Sequence, residues 1–459
     1  MIIDKNKFFE YVSTIKESDS LLSYSQKIDE KLYSALNNRI INSPANLIYW
    51  NNPSQEHSFV ALGEIFSISK KNKNDNKDMQ EILFKVKKNY YHNLNKINFN
   101  RIPIFVGAHK FPLKDKSSLW QDFEYEKWFI PKYLLFRNEN FYSIIINYIK
   151  NNSKTKNYLD DFDEYFHLPD LKHNENSFHE QAIRKCNYDT INWNKTVLTC
   201  LDKISKKELE KVVMARKIEL ELNSEIDFGE VTNSLQVTYP KCYTFIYRHN
   251  NSTFFGATPE KLFRVDKGII ETDALAGSIQ RGDSEISDKE LGLQLLESEK
   301  DIVEHNSVRN FLLEKLYHVT EEIEYDSTPQ LRKLSNIQHL WTPIKAKLKN
   351  DINILSLIEN IYPTPAICGY PTDTALKLIC SLEEFDRGLY AGIIGWFNLK
   401  NEGEFAVALR SALLKDNIIH AFAGCGIVEG SNPIFEYNET ELKLKPILSL
   451  FVDETINQS

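Results

Sequence analysis

Gly424-Cys425-Gly426-Ile427-Val428-Glu429-Gly430-Ser431-Asn432-Pro433-Ile434-Phe435-Glu436-Tyr437-Asn438-Glu439-Thr440-Glu441-Leu442-Lys443 reads as a glycine-rich turn leading into a helix. Asn432 can cap that helix, and Pro433 suits its first position, where a missing N–H has no partner to lose. Glu436, Glu439 and Lys443 follow at spacings of three and four, which places them on one face. Alone, such a face is most often solvated and carries an i,i+4 ion pair. A second stretch, Glu299-Lys300-Asp301-Ile302-Val303-Glu304-His305, repeats the i,i+3 carboxylate pair with Asp301 and Glu304 inside another helical segment. Two such pairs, without a Cys/His ligand set, suit a hard oxygen-liganded cation such as Mg²⁺.

Upstream of that helix the pattern is one of strands. From Leu209 to Leu222, Val212, Met214, Arg216, Ile218, Leu220 and Leu222 alternate with Lys211, Val213, Ala215 and Lys217, which predicts a strand with one mostly apolar face. Further strands are expected at 244–248, 269–273, 392–397, 405–414 and 418–423, with helices between them. In the first third, 58–63 and 104–108 read as strands, broken by the Asn/Lys-rich run 71–77. Residues 149–180 are polar with few apolar anchors, as in a long surface connection. No internal repeat, GxGxxG or Walker loop occurs. The expected fold is α+β, a large antiparallel sheet stack flanked by helices in one compact unit. Its N-terminal half covers 1–185 and its catalytic region 186–459.

Composition limits the setting. At 459 residues and 42% hydrophobic content the chain can bury a large core. A net charge of −8 leaves no electrostatic footprint for nucleic acid. No apolar run approaches membrane-spanning length and the N-terminus has no signal-peptide pattern, so a cytoplasmic protein without membrane partners is expected. Cys186, Cys200, Cys242, Cys368, Cys380 and Cys425 lack CxxC or zinc spacing and read as reduced thiols.

Taken in order, Lys211-Val212-Val213-Met214-Ala215-Arg216, Gly256-Ala257-Thr258-Pro259-Glu260, Leu275-Ala276-Gly277-Ser278, Lys300 to His305, Pro363-Thr364-Pro365-Ala366, the Asp386 to Trp396 run and the Glu436/Glu439/Lys443 helix form a set that resembles the chorismate-utilising enzymes. Within that family the chain is most similar to isochorismate synthases. The motifs span Trp193 to about Pro446. Runs around Phe105 and 120–131 resemble the N-terminal half of the same enzymes.

The resemblance implies roles. Lys211 is the base that deprotonates the water attacking C2 of chorismate, and Glu260 protonates the departing C4 hydroxyl. The base needs a lowered pKa and the acid a raised one, both of which burial can supply. Without the motifs, Lys211 reads as a strand lysine snorkelling to water and Glu260 as a turn carboxylate. Asp301, Glu304, Glu436 and Glu439 are implied to surround one Mg²⁺ that grips the ring carboxylate, with Lys443 offsetting part of their charge. Arg410 and Tyr390 are implied to meet the enolpyruvyl carboxylate, helped by backbone N–H groups near Gly424 and Gly426. Gly277 and Ser278 approach the ring, and His339 matches a family active-site histidine. As competing readings, Arg410 forms a structural salt bridge and His339 is a satisfied core residue.

Nucleophile and product rest on Tyr362-Pro363-Thr364-Pro365-Ala366-Ile367-Cys368-Gly369. The Pro-Thr-Pro-Ala form resembles the water-using branch of the family, where ammonia-using members typically carry Pro-Ser-Gly-Ala. Salicylate synthases, which eliminate pyruvate, generally carry threonine at Ala366. Ala366 with its neighbour Ile367 therefore implies a reaction that stops at isochorismate, feeding menaquinone or catechol siderophore biosynthesis. Tyr362 departs from the family's usual histidine and can still fill the space and hydrogen-bond. Two other readings are a salicylate synthase and a non-catalytic carboxylate-binding scaffold; retention of Lys211 and Glu260 argues against the scaffold. No obligate protein partner is evident, which is compatible with a monomer.

Overall fold

Leu47 and Tyr49 face one apolar cluster while Ile48 and Trp50, on the same strand, face another. Successive strand residues point to opposite sides, so a strand buried on both faces divides two cores. The arrangement is seen in a computed structural model that describes residues 3–54, 57–71, 79–94, 102–113, 116–150, 158–166, 182–185, 190–350 and 352–451. One core lies between a 13-stranded and a 10-stranded sheet. It holds Trp50, Phe59 and Phe245 from the larger sheet and Phe105, Trp128 and Phe405 from the smaller. The second core lies on the larger sheet's other face. There Phe8, Leu36, Leu235 and Leu444 from four helices, Lys5–Thr14, Glu30–Ile41, Phe228–Thr238 and Pro433–Leu448, cover Tyr49, Val60 and Ile246.

The pairings are antiparallel, apart from the parallel contact of Ser20–Ile28 with Tyr90–His92. Both halves of the chain contribute to both sheets. Leu47–Asn51 pairs with Tyr243–His249, and Phe105–His109 pairs with Ile393–Phe397. The protein is thus the α+β antiparallel sheet stack that the sequence predicts, built as one unit.

Four local expectations are corrected. The single strand read at 405–414 is two, Gly403–Val407 in the smaller sheet and Ser411–Lys415 in the larger, with Arg410 at a φ of 49° in the break. Gly424-Cys425-Gly426 is no turn: it ends the strand Ile418–Ile427, opposite Val213 to Ala215 of Lys211–Leu222, so it meets the site as sheet. The strand begun at Ile269 runs on to Gln280 through a bulge at Gly277, whose φ of 76° suits glycine. Within the polar connection, Leu159, Phe162 and Phe166 are buried in the second core, while 151–157 and 167–181 lie outside the described residues, as do 72–77 of the Asn/Lys-rich run. The five described cysteines are free.

Candidate active site

Two segments that change sheets run side by side and shape the site. Ser252–Thr258 in the larger sheet continues into Lys261–Asp266 in the smaller, and Gly403–Val407 in the smaller continues into Ser411–Lys415 in the larger. The crossovers are laced together: Ala257 N–H donates to Arg410 O at 3.1 Å, Val407 N–H to Glu260 O at 3.0 Å, and the Thr258 hydroxyl to Val407 O at 2.7 Å. Gly256 permits the approach, since a Cβ there would come within 2.6 Å of Arg410 O. Glu260 and Arg410 are therefore held by backbone bonds and not by their own side chains. Arg410 is 6% exposed, and its guanidinium meets no carboxylate or hydrogen-bond acceptor among the described residues. Burial without a partner lowers its pKa from the usual guanidinium value. The Glu260 carboxyl is likewise unpaired among the described residues, and burial raises its pKa to about 7 against the pull of Lys211, Lys443 and Arg410.

Lys211, 1% exposed and not among the residues that line the pocket, starts its strand with the ammonium 2.8 Å from Oε1 of Glu304, which does line it. The two form an ion pair. Gly426 makes room, because a Cβ there would lie 2.4 Å from Glu304 Oε1 and 2.8 Å from Lys211 Cε. Burial alone would raise the Glu304 pKa; Lys211, Lys443 and Lys300 outweigh it and hold the carboxyl below its usual value.

The pocket between these groups is lined by Glu260, Gly277, Ser278, Glu304, His339, Ala366, Ile367, Tyr390, Arg410, Gly424, Gly426 and Lys443. The fold thus gathers residues that lie far apart in sequence. His339 Nδ1 sits 2.9 Å from Ser278 Oγ and 3.3 Å from Gly277 O. The carbonyl can only accept, so a bond to it puts the proton on Nδ1 and leaves Nε2, buried without a partner among the described residues, as an acceptor on a residue that lines the pocket. Burial, then Arg410 and Lys443, hold this imidazole well below its usual pKa and therefore neutral. Tyr390 stacks on Phe422 with its hydroxyl beside Gly424, and burial pushes its pKa up. Tyr362 is not among the lining residues and donates to Ala391 O at 2.9 Å beside His109. In that place it supports the left-handed Ala391, φ 57°, which itself lines the pocket.

Of the four carboxylates expected around Mg²⁺ only Glu304 lines the pocket; Asp301, Glu436 and Glu439 are not among its lining residues. Ser298 caps its helix and donates to Asp301 Oδ2 at 2.5 Å. Lys300 meets Glu436 Oε1 at 2.6 Å and Lys443 meets Glu439 Oε1 at 2.6 Å. Lys443 also donates to Gly424 O at 3.1 Å. Asn432 caps the second helix, accepting from Ile434 N–H, with Pro433 at its start as the sequence predicts. Burial and like charge raise the pKa of Asp301, through Glu304 and Glu439, and of Glu436, through Glu439. Among the described residues no three ligating side chains converge as a metal cluster. Even so, the donor set fits a hard divalent cation: four carboxylates, three of them each neutralised by a lysine, two with their charge disfavoured by burial.

Arg387, Val213, Ala391, Leu409 and Cys425 also line the pocket. Sequence reading gave none of their side chains a role, Cys425 belonging only to the segment expected to offer backbone N–H groups. Arg387 and Ala391 lie in the Asp386 to Trp396 run, and Leu409 and Cys425 neighbour assigned residues, so motif adjacency was the available signal.

The sequence profile described as chorismate binding enzyme matches residues 7–452. The chain belongs to that family. This family member is 33% identical over 440 residues to the isochorismate synthase MenF of Bacillus subtilis, covering 94% of this chain and 93% of the relative. It is 38% identical over 245 residues to the isochorismate synthase EntC of Escherichia coli, over 53% of this chain and 63% of that protein. The fold is that of the menaquinone-specific isochorismate synthase MenF from Escherichia coli, with a TM-score of 0.79 at 22% identity over 97% of this chain and 98% of that one.

Proposed function

We propose that this enzyme is an isochorismate synthase that adds water at C2 of the chorismate ring as the C4 hydroxyl leaves. One observation carries the proposal: a buried Arg410 without a partner shares a pocket with a carboxyl, Glu260, that is held near neutrality and faces Lys211. Arg410 receives the enolpyruvyl carboxylate in a two-pronged contact, with the Tyr390 hydroxyl beside it. Lys211, once its ammonium has released a proton, takes one from water as the water oxygen bonds to C2, the ring double bonds shift, and the C4–O bond breaks. Glu260 gives its proton to that oxygen, which leaves as water. His339 Nε2 accepts a hydrogen bond from the bound ring. Asp301, Glu304, Glu436 and Glu439 would hold Mg²⁺, which supplies positive charge against the ring carboxylate when bound. The full-length resemblance to an isochorismate synthase supports this choice of reaction.

Ala366, on the wall formed by the 364–368 turn, offers the ring a methyl group and no hydroxyl, in keeping with release of isochorismate for menaquinone or catechol siderophore synthesis. Purified enzyme with chorismate and Mg²⁺ is expected to yield isochorismate on a chromatographic assay, with little pyruvate in a lactate dehydrogenase-coupled assay. Stoichiometric pyruvate with salicylate would make the enzyme a salicylate synthase instead. Exhaustive EDTA treatment should abolish turnover, and added Mg²⁺ should restore it. Full activity after chelation would remove the metal from the proposal.

A further inference from the structure

The strand that starts at Lys211 keeps Ile418–Ile427 on one edge but loses its neighbour on the other after two residues. Lys211 and Val212 pair with Tyr370 and Gly369 of the short Gly369–Tyr370 strand, and Val213 N–H still reaches Cys368 O at 2.8 Å. There the partner segment turns away, so that Ala366 and Ile367 can wall the pocket. Val213 O and Ala215 N–H are left at an open, buried sheet edge. In place of a strand, an ion pair fills it. Arg387 Nη2 donates to Val213 O at 2.7 Å, and Glu383 Oε1 accepts from Ala215 N–H at 2.8 Å. The two side chains clasp one another, Nε to Oε2 at 2.8 Å and Nη2 to Oε1 at 2.5 Å, and are 1% and 3% exposed. Arg387 Nη1 donates to Ile367 O at 2.9 Å, and the guanidinium lies over the Phe111 ring at 4.5 Å.

We propose that the Arg387–Glu383 pair is a positioning device for the reaction, setting the distance between the strand that carries Lys211 and the turn that carries Ala366 and Ile367. A regular strand could satisfy the same backbone groups, but its chain would continue along Val213, which lines the pocket. A pair of side chains closes the edge from the side and leaves the pocket open. Four of the five guanidinium N–H groups are committed to protein, and its charge is answered by Glu383. This separates Arg387 from Arg410, which lines the same pocket unpaired. Burial works against the charge of Arg387, and Glu383 outweighs it, keeping the pKa above the usual guanidinium value. Arg387 thus acts through Val213 and Ile367 and not as a carboxylate receptor. Lysine cannot replace it, because one ammonium cannot span two carbonyls and both carboxylate oxygens in a plane.

The proposal rests on the isochorismate synthase reading, and the test keeps the two apart. Wild type, Glu383→Gln, Arg387→Lys and Arg387→Met are purified full-length, and kcat and KM for chorismate are measured beside urea-unfolding midpoints. Glu383→Gln and Arg387→Lys are expected to lose roughly 10- to 100-fold in kcat, as misplacement of reacting groups typically does, with KM within about threefold of wild type. Arg387→Met should lose more than Arg387→Lys. Wild-type kcat in folded variants, even with a lower unfolding midpoint, makes the pair structural only and overturns the inference. A KM effect without a kcat effect also overturns it, since Arg387 would then bind substrate directly. If the Arg387 variants do not fold, Glu383→Gln, which keeps the size and shape of the side chain, decides alone. Wild-type protein that forms no isochorismate overturns the proposed function itself.

Discussion

Lys211→Ala and Glu260→Gln are each expected to lower kcat by about 10²-fold or more while the protein stays folded, the size of effect that goes with losing a positioned base or acid. Glu260 lines the pocket, whereas Lys211 lies outside that lining, buried against Glu304, which does line it. Their surroundings differ. Lys211 leans on Glu304, so its removal also leaves a buried carboxylate without its nearest cation. Lys211→Arg therefore belongs beside Lys211→Ala. Arginine keeps the positive charge next to Glu304 but cannot give up its proton near neutral pH. If Lys211→Arg restores turnover, Lys211 serves as a counter-ion and the base lies elsewhere. Glu260 has no such partner to strand, so Glu260→Gln removes the proton donor and little else. Near wild-type turnover in that variant, with unchanged circular dichroism, returns Glu260 to a turn carboxylate.

The same residue sets an expected pH dependence. Burial raises the Glu260 pKa to about 7, because removing water disfavours the charged form. A group that donates a proton works only while protonated. Activity should therefore fall as pH rises through about 7, and kcat/KM in the chorismate-to-isochorismate direction should show that alkaline limb. In Glu260→Gln the limb should vanish from the residual rate. A limb of the same position in the variant assigns it to another group.

The layered fold was legible because it rests on alternation, and Lys211–Leu222 announces its two faces in sequence. Helix starts were legible through local chemistry, as at Asn432-Pro433, where the cap bonds form with residues two and three positions on. The break at Arg410 was not. Residues 405–414 alternate well enough for one strand, and only pairing with two different sheets divides them. The Gly424-Cys425-Gly426 segment misled in the opposite sense. Its glycines suggest a turn, whereas in the sheet they clear space for Tyr390 and for the Lys211–Glu304 contact. The Arg387–Glu383 pair was silent because its work is done on backbone atoms of Val213, Ala215 and Ile367, and no residue-type pattern records which carbonyl lacks a strand partner.

Arg410→Ala is expected to weaken kcat/KM for chorismate by about 2–5 kcal/mol, the range for removing one side of a desolvated, hydrogen-bonded charge pair, with most of the loss in KM. The backbone at 410 should survive the change. Its left-handed φ is imposed by the crossover, and the bond from Ala257 N–H to its carbonyl needs no side chain. Alanine tolerates that φ no better than arginine does, so the fold gains and loses little there. What disappears is a buried cation that meets no protein carboxylate among the described residues and has therefore no salt bridge to lose. The effect should appear as substrate affinity and not as stability. Arg410→Lys should fall between, since a point charge replaces a planar fork. A second signal is independent of turnover. Arg410 helps to hold His339 well below its usual pKa, so its removal should make that imidazole easier to protonate, visible as an upward shift in an NMR titration of the substrate-free protein. If KM and kcat/KM are unchanged in the folded variant while the His339 shift appears, Arg410 tunes the pocket's charge without receiving the substrate, and the enolpyruvyl carboxylate must be bound elsewhere.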